Sequence, residues 1–448
     1  MATALFDTLR SRIAAMEPSR PAGRVSALRA GVAVVSGLGS ELRLGDGVVI
    51  GRTGDPLRGE VIGLSASGAT ILPDTALTGV RMGDPVEPGP AFGIAPDGSW
   101  IGRIIDADGE PLDGRPLRRG PIRRAVVASP PPAATRRRLG PRLETGLPAF
   151  ITLLPIVRGQ RIGLFAGSGV GKSSLLAALA KGLDNDIAVI ALIGERGREV
   201  REFIDETLGP EGLARSIVVA ATSDQSALMR RRTAWTAMTI AEHFRDQGRQ
   251  VTFLADSVTR FAEAHREVAI AAGEAASLRG YPPSLAPVIM GLAERAGPGP
   301  GEPGGAGDIT AVFSVLVAGS DMDEPVADIL RGTLDGHVVL DRTIAERGRY
   351  PAIDLLQSVS RSLPVAASAT ENALIAGARR MLGAYARSET MILAGLYAKG
   401  SDPLTDAAIR CWAELDGFLG QSVSAGSDAD FARLGEILAL PDAAAGPG

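Results

Sequence analysis

The segment that most constrains the fold of this chain is Phe165-Ala-Gly-Ser-Gly-Val-Gly-Lys-Ser-Ser174. An apolar run with strand character precedes it at 160–165, and strong helix formers follow it at 175–181. A strand, a glycine-rich loop, Lys-Ser and a helix in this order are typical of a phosphate-binding P-loop. The glycines let successive backbone N–H groups turn toward phosphate oxygens, and the helix N-terminus adds about half a positive charge. We therefore predict a nucleotide site in which Lys172 reaches the β- and γ-phosphates and the Ser173 hydroxyl binds Mg²⁺.

One position departs from the strict P-loop pattern, which has glycine where Ala166 stands. Ala166 falls at the end of the predicted strand, where the backbone takes a negative φ that alanine adopts without strain. The departure is therefore compatible with a nucleotide site. The predicted phosphate-binding residues are Gly167, Ser168, Gly169, Val170, Gly171, Lys172, Ser173 and Ser174.

Apolar runs alternate with helical segments after the P-loop, which is typical of a parallel sheet buried on both faces. Ligands of such sheets bind at the carboxyl ends of the strands. Lys172, Glu195 and Asp256 each follow or end a predicted strand, so we expect them to converge on one crevice. The predicted strands are 187–193, 217–221 and 251–255, and the predicted helix between the last two is 226–247.

The two carboxylates in this group have different predicted roles. An apolar strand that ends in an aspartate supplies the second carboxylate directed at Mg²⁺ in P-loop nucleotidases, which assigns that role to Asp256. Glu195 is the candidate for the group that orients and deprotonates the attacking water. The alternative for Glu195 is an ion pair with one of the arginines beside it.

Length, composition and charge limit the class of protein. At 448 residues the chain is too long for one hydrophobic core, and about two to three domains are expected. Hydrophobic residues make up 45% and charged residues 22%, as in a globular protein, and the net charge of −4 argues against a dedicated nucleic-acid binder. The single cysteine, Cys411, excludes an intrachain disulfide and fits a reducing cytoplasm. No run of about 18 apolar residues exists, and the N-terminus lacks the apolar core of a signal peptide.

Three segments precede the P-loop. Residues 3–16 have apolar positions at helical spacing and predict a helix that packs on its own domain or docks on a partner or membrane surface. Short Val/Leu/Ile runs between Gly and Asp turns, from residue 23 to about residue 90, predict a small antiparallel barrel. A basic, proline-rich segment then leads to the P-loop. We expect a solvated linker or subunit contact there rather than an RNA site, because no aromatic residues interleave with its arginines, which are Arg118, Arg119, Arg123, Arg124, Arg136, Arg137 and Arg138.

Several further motifs together resemble the α/β-subunit superfamily of rotary ATP synthases. The matching segments are Ile193-Gly-Glu-Arg-Gly-Arg-Glu-Val200, Asp256-Ser-Val-Thr-Arg-Phe261, Gly280-Tyr-Pro-Pro-Ser284, Leu334-Asp-Gly-His-Val-Val-Leu340 and Pro351-Ala-Ile-Asp-Leu-Leu-Gln-Ser-Val-Ser360. Within that superfamily, the P-loop and Tyr397-Ala-Lys-Gly-Ser-Asp-Pro403 are most similar to the flagellar and type III secretion export ATPases. The segment 297–307 is longer and richer in proline than the usual glycine-rich loop of the family.

The resemblance implies an α/β fold with a RecA-like P-loop core and a mostly parallel sheet, preceded by a small antiparallel β-barrel and followed by an α-helical domain. Two C-terminal helices, at 374–394 and 406–419, are predicted independently from their periodicity. The implied domains are an N-terminal amphipathic helix at 1–20, a barrel at 21–92, an ATPase domain at 93–362 and a helical domain at 363–448.

The resemblance also implies a homohexamer that hydrolyses ATP with Mg²⁺ at subunit interfaces. Lys172 and Ser173 would bind phosphate and metal, and Glu195 would act on water. Arg196 would lie near the γ-phosphate and Tyr350 against the adenine, and Arg361 matches the arginine finger. From the residues alone, loop packing would be preferred for Tyr350 and a surface ion pair for Arg361.

The implied function is ATP hydrolysis that energises protein export, in the cytoplasm at the membrane export apparatus. The implied partners are a stator-like regulator at the N-terminal helix, a central stalk, an export gate, export substrates and their chaperones, without nucleic acid. Two alternatives stay open: a proton-driven ATP synthase catalytic subunit and a hexameric RNA translocase. The first conflicts with the presence of both Glu195 and Arg361 in one chain, and the second with the net charge of −4 and the 4% aromatic content.

Overall fold

The computed structural model describes residues 21–29, 31–51, 54–301, 305–317 and 322–439. The predicted N-terminal helix at 1–20 lies outside this part of the chain. The chain divides into two compact units: one contains the chain up to Phe92 with residues 226–228 and 265–276, and the other contains the remainder. The domain boundaries drawn from the sequence stay predictions. None of the described helices is long and apolar enough to cross a membrane.

The first unit contains the predicted antiparallel barrel. Its six strands close in the order β1-β2-β5-β4-β3-β6. Alternate residues point inward, because successive side chains of a strand face opposite sides, and Val25, Val35, Ile50, Ile71 and Val86 form part of the core. The strands are β1 (Gly23–Arg29), β2 (Val32–Ser36), β3 (Gly47–Ile50), β4 (Leu57–Ser65), β5 (Gly68–Pro73) and β6 (Pro85–Pro88).

The second unit is built on strands with long apolar runs. The central parallel strands are buried on both faces, as Ile187–Glu195 shows, with every residue but the last buried. The strands are β7 (Gly93–Ile94), β8 (Arg103–Ile105), β9 (Arg124–Ala125), β10 (Arg161–Ala166), β11 (Ile187–Glu195), β12 (Ser216–Thr222), β13 (Val251–Asp256), β14 (Gly297–Pro298), β15 (Asp308–Leu316), β16 (Gly336–Leu340) and β17 (Ile353–Ser360).

The helices alternate with these strands and then continue alone at the C-terminus. A π-helical turn, Phe203–Leu208, follows α3. The helices are α1 (Pro148–Ile151), α2 (Lys172–Gly182), α3 (Gly197–Glu202), α4 (Gly209–Ala214), α5 (Ala227–Asp246), α6 (Val258–Ala271), α7 (Leu285–Arg295), α8 (Pro325–Thr333), α9 (Arg342–Glu346), α10 (Ala369–Leu393), α11 (Pro403–Leu419) and α12 (Ser427–Leu438).

The central sheet has the strand order β17-β16-β10-β15-β13-β11-β12-β8, with β14 beside β15. Neighbours from β16 to β8 are all parallel, whereas β17 is antiparallel to β16 and β14 to β15. The carboxyl ends of the parallel strands therefore share one edge of the sheet with the start of β17. The end of β17 lies at the opposite edge, with the amino ends of the parallel strands. The predicted fold class is confirmed.

The C-terminal helices pack on the same hydrophobic core as the sheet. Ile375, Leu382, Leu415 and Phe431 belong to one buried cluster with residues of β10 and β11. Helix α10 begins at a capping box, in which Ser368 Oγ accepts from the Glu371 N–H and the Glu371 carboxylate accepts from the Ser368 N–H. Both predicted C-terminal helices are present, with α10 beginning five residues before the predicted start at 374.

The basic segment before the P-loop differs in part from the expectation of a solvated linker. Arg136 Nη1 donates to the Ala296 carbonyl at 3.0 Å, and Arg137 Nη2 donates to the carbonyls of Ala306 and Gly307 at 2.6 and 2.9 Å. The expectation of solvation was wrong for these two arginines, because backbone carbonyls beside and within the segment 297–307 accept hydrogen bonds from their guanidinium groups. The alternative of a subunit contact stays a prediction.

Candidate active site

The P-loop connects β10 to α2 as the sequence predicts. Ala166 is the last residue of the strand, and α2 begins at Lys172. Gly169 and Gly171 have φ values of +77° and +86°, in the left-handed region that favours glycine. The loop therefore places backbone N–H groups and the N-terminus of α2 at the carboxyl edge of the sheet, where they can bind an anion.

Lys172 and Asp256 meet at this edge from neighbouring parts of the sheet. Lys172 Nζ donates to Asp256 Oδ1, and the aspartate is 4% exposed. Ser314, on β15 between β10 and β13, donates its hydroxyl to the same oxygen at 2.7 Å. The buried carboxylate is thus held in place by a cation and a hydroxyl.

Glu195 ends β11 and faces the same cleft as Ser173 and Asp256. Within the described part of the chain, its buried Oε1 has no hydrogen-bond partner. Burial and, less strongly, the negative charge of Asp256 raise the pKa of Glu195 to about 7, although Lys172 and Arg260 act in the opposite direction. A carboxyl group that titrates near neutral pH and has an uncommitted oxygen is suited to general-base chemistry.

Among the described residues, Glu195 forms no ion pair with the arginines beside it. Arg196 pairs instead with Glu199, at 3.2 Å, and its side chain is 80% exposed. Arg196 does line the P-loop cleft, which has a volume of about 450 Å³. It is therefore available to a ligand in the cleft without breaking a buried contact.

Arg260 is a residue of this cleft that the sequence reasoning did not select. It lies in the first turn of α6, four residues after Asp256, and its Nη1 donates to Glu263 at 3.0 Å. The sequence did contain a signal for Arg260, because this residue is part of the Asp-Ser-Val-Thr-Arg-Phe motif that carries the family resemblance. Ser314 left no comparable signal, because a serine inside an apolar strand is usually structural.

Tyr350 lies against the P-loop. A Cβ atom added to Gly171 would come within 3.1 Å of the Tyr350 ring, and 50% of the tyrosine is exposed. Tyr350 thus contacts the P-loop and keeps half of its residue surface exposed, and its role stays a prediction. Lys172, Ser173, Glu195, Asp256 and Tyr350 are brought together at one edge of the sheet.

Arg361 is not part of this group. It follows β17 at the opposite edge of the sheet, where its N–H donates to the Asp335 carbonyl at 3.0 Å and its Nη2 to the Arg331 carbonyl at 3.2 Å. A strand of six residues, the length of β10, spans about 17–20 Å. Arg361 is exposed and cannot reach the Lys172 cleft of its own chain.

Family models match two parts of the chain. Residues 146–360 match the nucleotide-binding domain of the ATP synthase alpha/beta family, and residues 367–434 match the T3SS EscN ATPase C-terminal domain. The chain is also 46% identical over 440 residues to the flagellum-specific ATP synthase of Caulobacter vibrioides, with 96% of this chain and 99% of that protein covered. The chain belongs to the flagellar and type III secretion ATPase family.

Other members of this family are also similar to the chain. The SPI-2 type 3 secretion system ATPase of Salmonella typhimurium is 46% identical over 364 residues, which cover 81% of this chain and 83% of the relative. The assembled ATPase EscN of enteropathogenic E. coli matches with a TM-score of 0.85 and 35% identity, over 93% of this chain and 100% of that chain. EscN in complex with its central stalk EscO matches with a TM-score of 0.84.

These comparisons confirm the resemblance stated from the sequence. The chain is a P-loop ATPase with a nucleotide substrate, and its fold matches that of the assembled ATPase EscN. The role of each cleft residue is argued from the groups that its side chain contacts.

Proposed function

We propose that this chain forms a homohexameric ring that hydrolyses ATP and so energises protein export through a flagellar or type III secretion apparatus. The observation that carries the proposal is that Arg361 is separated from Lys172 and Glu195 by the length of the strands of the central sheet. A head-to-tail ring brings the arginine edge of one subunit to the P-loop edge of the next, which completes each site. The assembled form of the relative EscN supports such a ring.

In this proposal each residue of the cleft has one task. Lys172 and the N–H groups of the P-loop bind the triphosphate, and Glu195 takes a proton from the attacking water. Arg196 and the neighbour's Arg361 stabilise the charge that develops on the γ-phosphate, since both are exposed and free to meet it. Tyr350, which is half exposed, stacks its ring on the adenine.

The family implies Mg²⁺, and the residues present fit it. Ser173 Oγ and the buried Asp256 carboxylate are hard oxygen ligands of the type that Mg²⁺ takes. When bound, Mg²⁺ neutralises charge on the phosphate oxygens. Ser314 and Lys172 orient Asp256 for this site.

One of the proposed partners is supported by a relative. EscN binds a central stalk, EscO, and we extend a stalk partner to this chain. We also propose a stator-like regulator at the N-terminal helix, an export gate, and export substrates with their chaperones. The proposed location is the cytoplasmic face of the membrane export apparatus.

Mixed rings test the central claim. Arg361→Ala and Lys172→Ala should each be nearly inactive, because one lacks the finger and the other the phosphate grip. In mixed rings some interfaces pair an intact P-loop with an intact finger, so part of the ATPase activity should return. Crosslinking or native mass spectrometry verifies that mixed rings form. The absence of any recovered activity in verified mixed rings would exclude a finger that acts in trans.

A further inference from the structure

The edge of the sheet that carries Arg361 also contains a dense polar network centred on Arg161, the first residue of β10. Arg161 Nε and Nη2 form a fork on the two carboxylate oxygens of Asp335, at 3.0 and 3.1 Å, and its backbone N–H donates to the same carboxylate at 3.0 Å. Arg161 Nη1 donates to Glu294, at the end of α7, at 2.6 Å. The guanidinium thus joins the start of β16 to α7.

Asp335 in turn holds the backbone of the finger residue. Its N–H donates to the Arg161 carbonyl at 2.8 Å, and its own carbonyl accepts from the Arg361 N–H at 3.0 Å. The fully buried Gln160 donates to the Asp335 carbonyl and to Ser360 Oγ, both at 3.1 Å. Arg361 is therefore fixed at its backbone, while its exposed guanidinium contacts only a carbonyl, that of Arg331, among the hydrogen bonds of the described residues.

We propose that Arg161 is a positioning residue for the finger: through Asp335 it fixes the direction in which Arg361 leaves the sheet edge toward the neighbouring subunit. The inference rests on the proposed ring, in which Arg361 acts in trans. A planar guanidinium that makes a fork with a carboxylate defines an orientation, which a single point charge does not. A finger must meet the γ-phosphate within a fraction of an ångström, and a misplacement of about 1 Å can cost about 10²-fold in rate.

A competing role for Arg161 lies within its own active site, because β10 also leads into the P-loop. The two roles predict loss of activity at the sites of different subunits. If Arg161 positions Arg361, Arg161→Gln damages the site of the neighbour, and if it supports the P-loop, the variant damages its own site. Complementation in mixed rings separates these cases.

The experiment measures ATPase activity of purified full-length variants alone and in pairwise mixtures. Arg161→Gln alone should lower kcat by about 10- to 100-fold and change the KM for ATP by less than about twofold. Mixed with Lys172→Ala it should recover activity, because Lys172→Ala subunits supply a well-placed finger. Mixed with Arg361→Ala it should recover none, because neither subunit then supplies one.

Recovery with Arg361→Ala but not with Lys172→Ala would overturn the inference and assign Arg161 to its own P-loop, and so would near wild-type activity of Arg161→Gln. If the reference pair, Arg361→Ala with Lys172→Ala, recovers no activity, the proposal that Arg361 acts in trans is itself wrong. If Arg161→Gln does not fold, Arg161→Lys replaces it, since it keeps the charge and loses the fork; it should fall in the same complementation group.

A matched control exists in the same sheet. Arg103 of β8 makes the same fork on Asp113, at 2.6 and 2.8 Å, and both side chains are largely buried. β8 is at the end of the sheet farthest from β17. Arg103→Gln should lower the melting temperature at least as much as Arg161→Gln, yet it should keep a kcat near that of the wild type once folded. Equal loss of kcat in both variants would indicate a general effect of destabilisation.

Discussion

The two edges of the central sheet contrast sharply in how their charged groups are used. At the carboxyl edge, Glu195 is partly buried, its buried Oε1 has no hydrogen-bond partner among the described residues, and its pKa is raised to about 7. At the amino edge, Arg161 uses its backbone N–H, Nε and both terminal nitrogens in contacts of 2.6 to 3.1 Å. The carboxyl edge thus leaves one oxygen of Glu195 uncommitted beside the Lys172–Asp256 pair, whereas the amino edge commits Arg161 and Asp335 to each other.

The difference shows what each edge is suited to do. An uncommitted buried carboxylate costs stability but can react, because its electrostatic environment is not yet satisfied. A saturated network of ion pairs cannot react, but it holds a backbone in one place. The first is the property of a site that performs chemistry, and the second is that of a support that presents Arg361 to another subunit.

The largest effect should follow from removing the cation of the carboxyl edge. Lys172→Ala leaves the triphosphate without its main counter-charge, so ATP hydrolysis should fall by about 10³-fold or more. Steady-state ATPase assays measure this. Lys181→Ala is the matched control, because Lys181 lies in the last turn of the same helix and is exposed, and among the described residues its amino group bonds only the Thr207 carbonyl. Near wild-type turnover of Lys172→Ala would refute the P-loop assignment.

The next effect tests whether the amino edge contributes geometry or only charge. Arg361→Lys keeps the charge but loses the planar fork, so kcat should still fall by about 10²- to 10³-fold while ATP binding and ring assembly persist. Fluorescent nucleotide titration and native mass spectrometry check the latter two. Arg342→Lys is a suitable control, since Arg342 is 79% exposed and, in the part of the chain that the structure describes, pairs only with Glu346 of its own helix. A fully active Arg361→Lys would mean that charge alone suffices.

A third prediction separates chemistry from binding at the carboxyl edge. Glu195→Gln keeps the shape of the side chain but removes the base, so turnover should fall by about 10²-fold while the Kd for ATP changes little. Glu206→Gln, an exposed carboxylate of the following π-helical turn, serves as the control. Parallel loss of binding and turnover would show that Glu195 is structural.

The raised pKa of Glu195 predicts a pH dependence. The base is active when ionised, so kcat/KM should rise about tenfold per pH unit up to a pH of about 7 and level off above it. A pH–rate profile with a constant-ionic-strength buffer measures this. The residual kcat/KM of Glu195→Gln should not show this rise with pH. A profile that is flat down to about pH 5 would show that the group is already ionised there and that burial does not set its pKa.

The smallest effect concerns stability. Because the pKa of Glu195 is higher in the folded protein than the ordinary value of 4.5, the folded state binds more protons between that value and about 7, and stability falls as the pH rises through this window. Glu195→Gln carries no such charge. Its melting temperature at pH 8 should exceed that of the wild type by roughly 2–4 °C, and the difference should vanish near pH 4. A lower melting temperature at pH 8 would contradict the unfavourable burial of this carboxylate.

The local elements of the active site follow from short patterns. The P-loop, the strand that ends in Glu195 and the strand that ends in Asp256 could all be predicted, because a buried parallel strand is a continuous apolar run and its last residue is polar. The expected strands at 187–193 and 251–255 are found as Ile187–Glu195 and Val251–Asp256. The differences are confined to the ends, where hydrogen bonding rather than hydrophobicity sets the boundary.

Residues that act through a partner distant in the chain were missed or misjudged. Ser314 bonds Asp256 across 58 positions, and Arg137 bonds Asp308 across 171. Neither contact leaves a periodic pattern, since each depends on which strands become neighbours. Arg260 is different, because its motif was visible and only its place in the cleft was not.

The sequence by itself determined the phosphate-binding loop, the positions of Glu195 and Asp256 at the ends of strands, and the succession of barrel, sheet and helices, because these depend on interactions between residues that are close in the chain. The tertiary structure decided that β17 runs antiparallel to β16, and so that Arg361 lies at the edge opposite Lys172. The direction of a strand is set by the loop that precedes it and by the neighbour with which it pairs, neither of which alters its own alternation of side chains. The same residues in a parallel β17 would have placed the arginine beside its own P-loop.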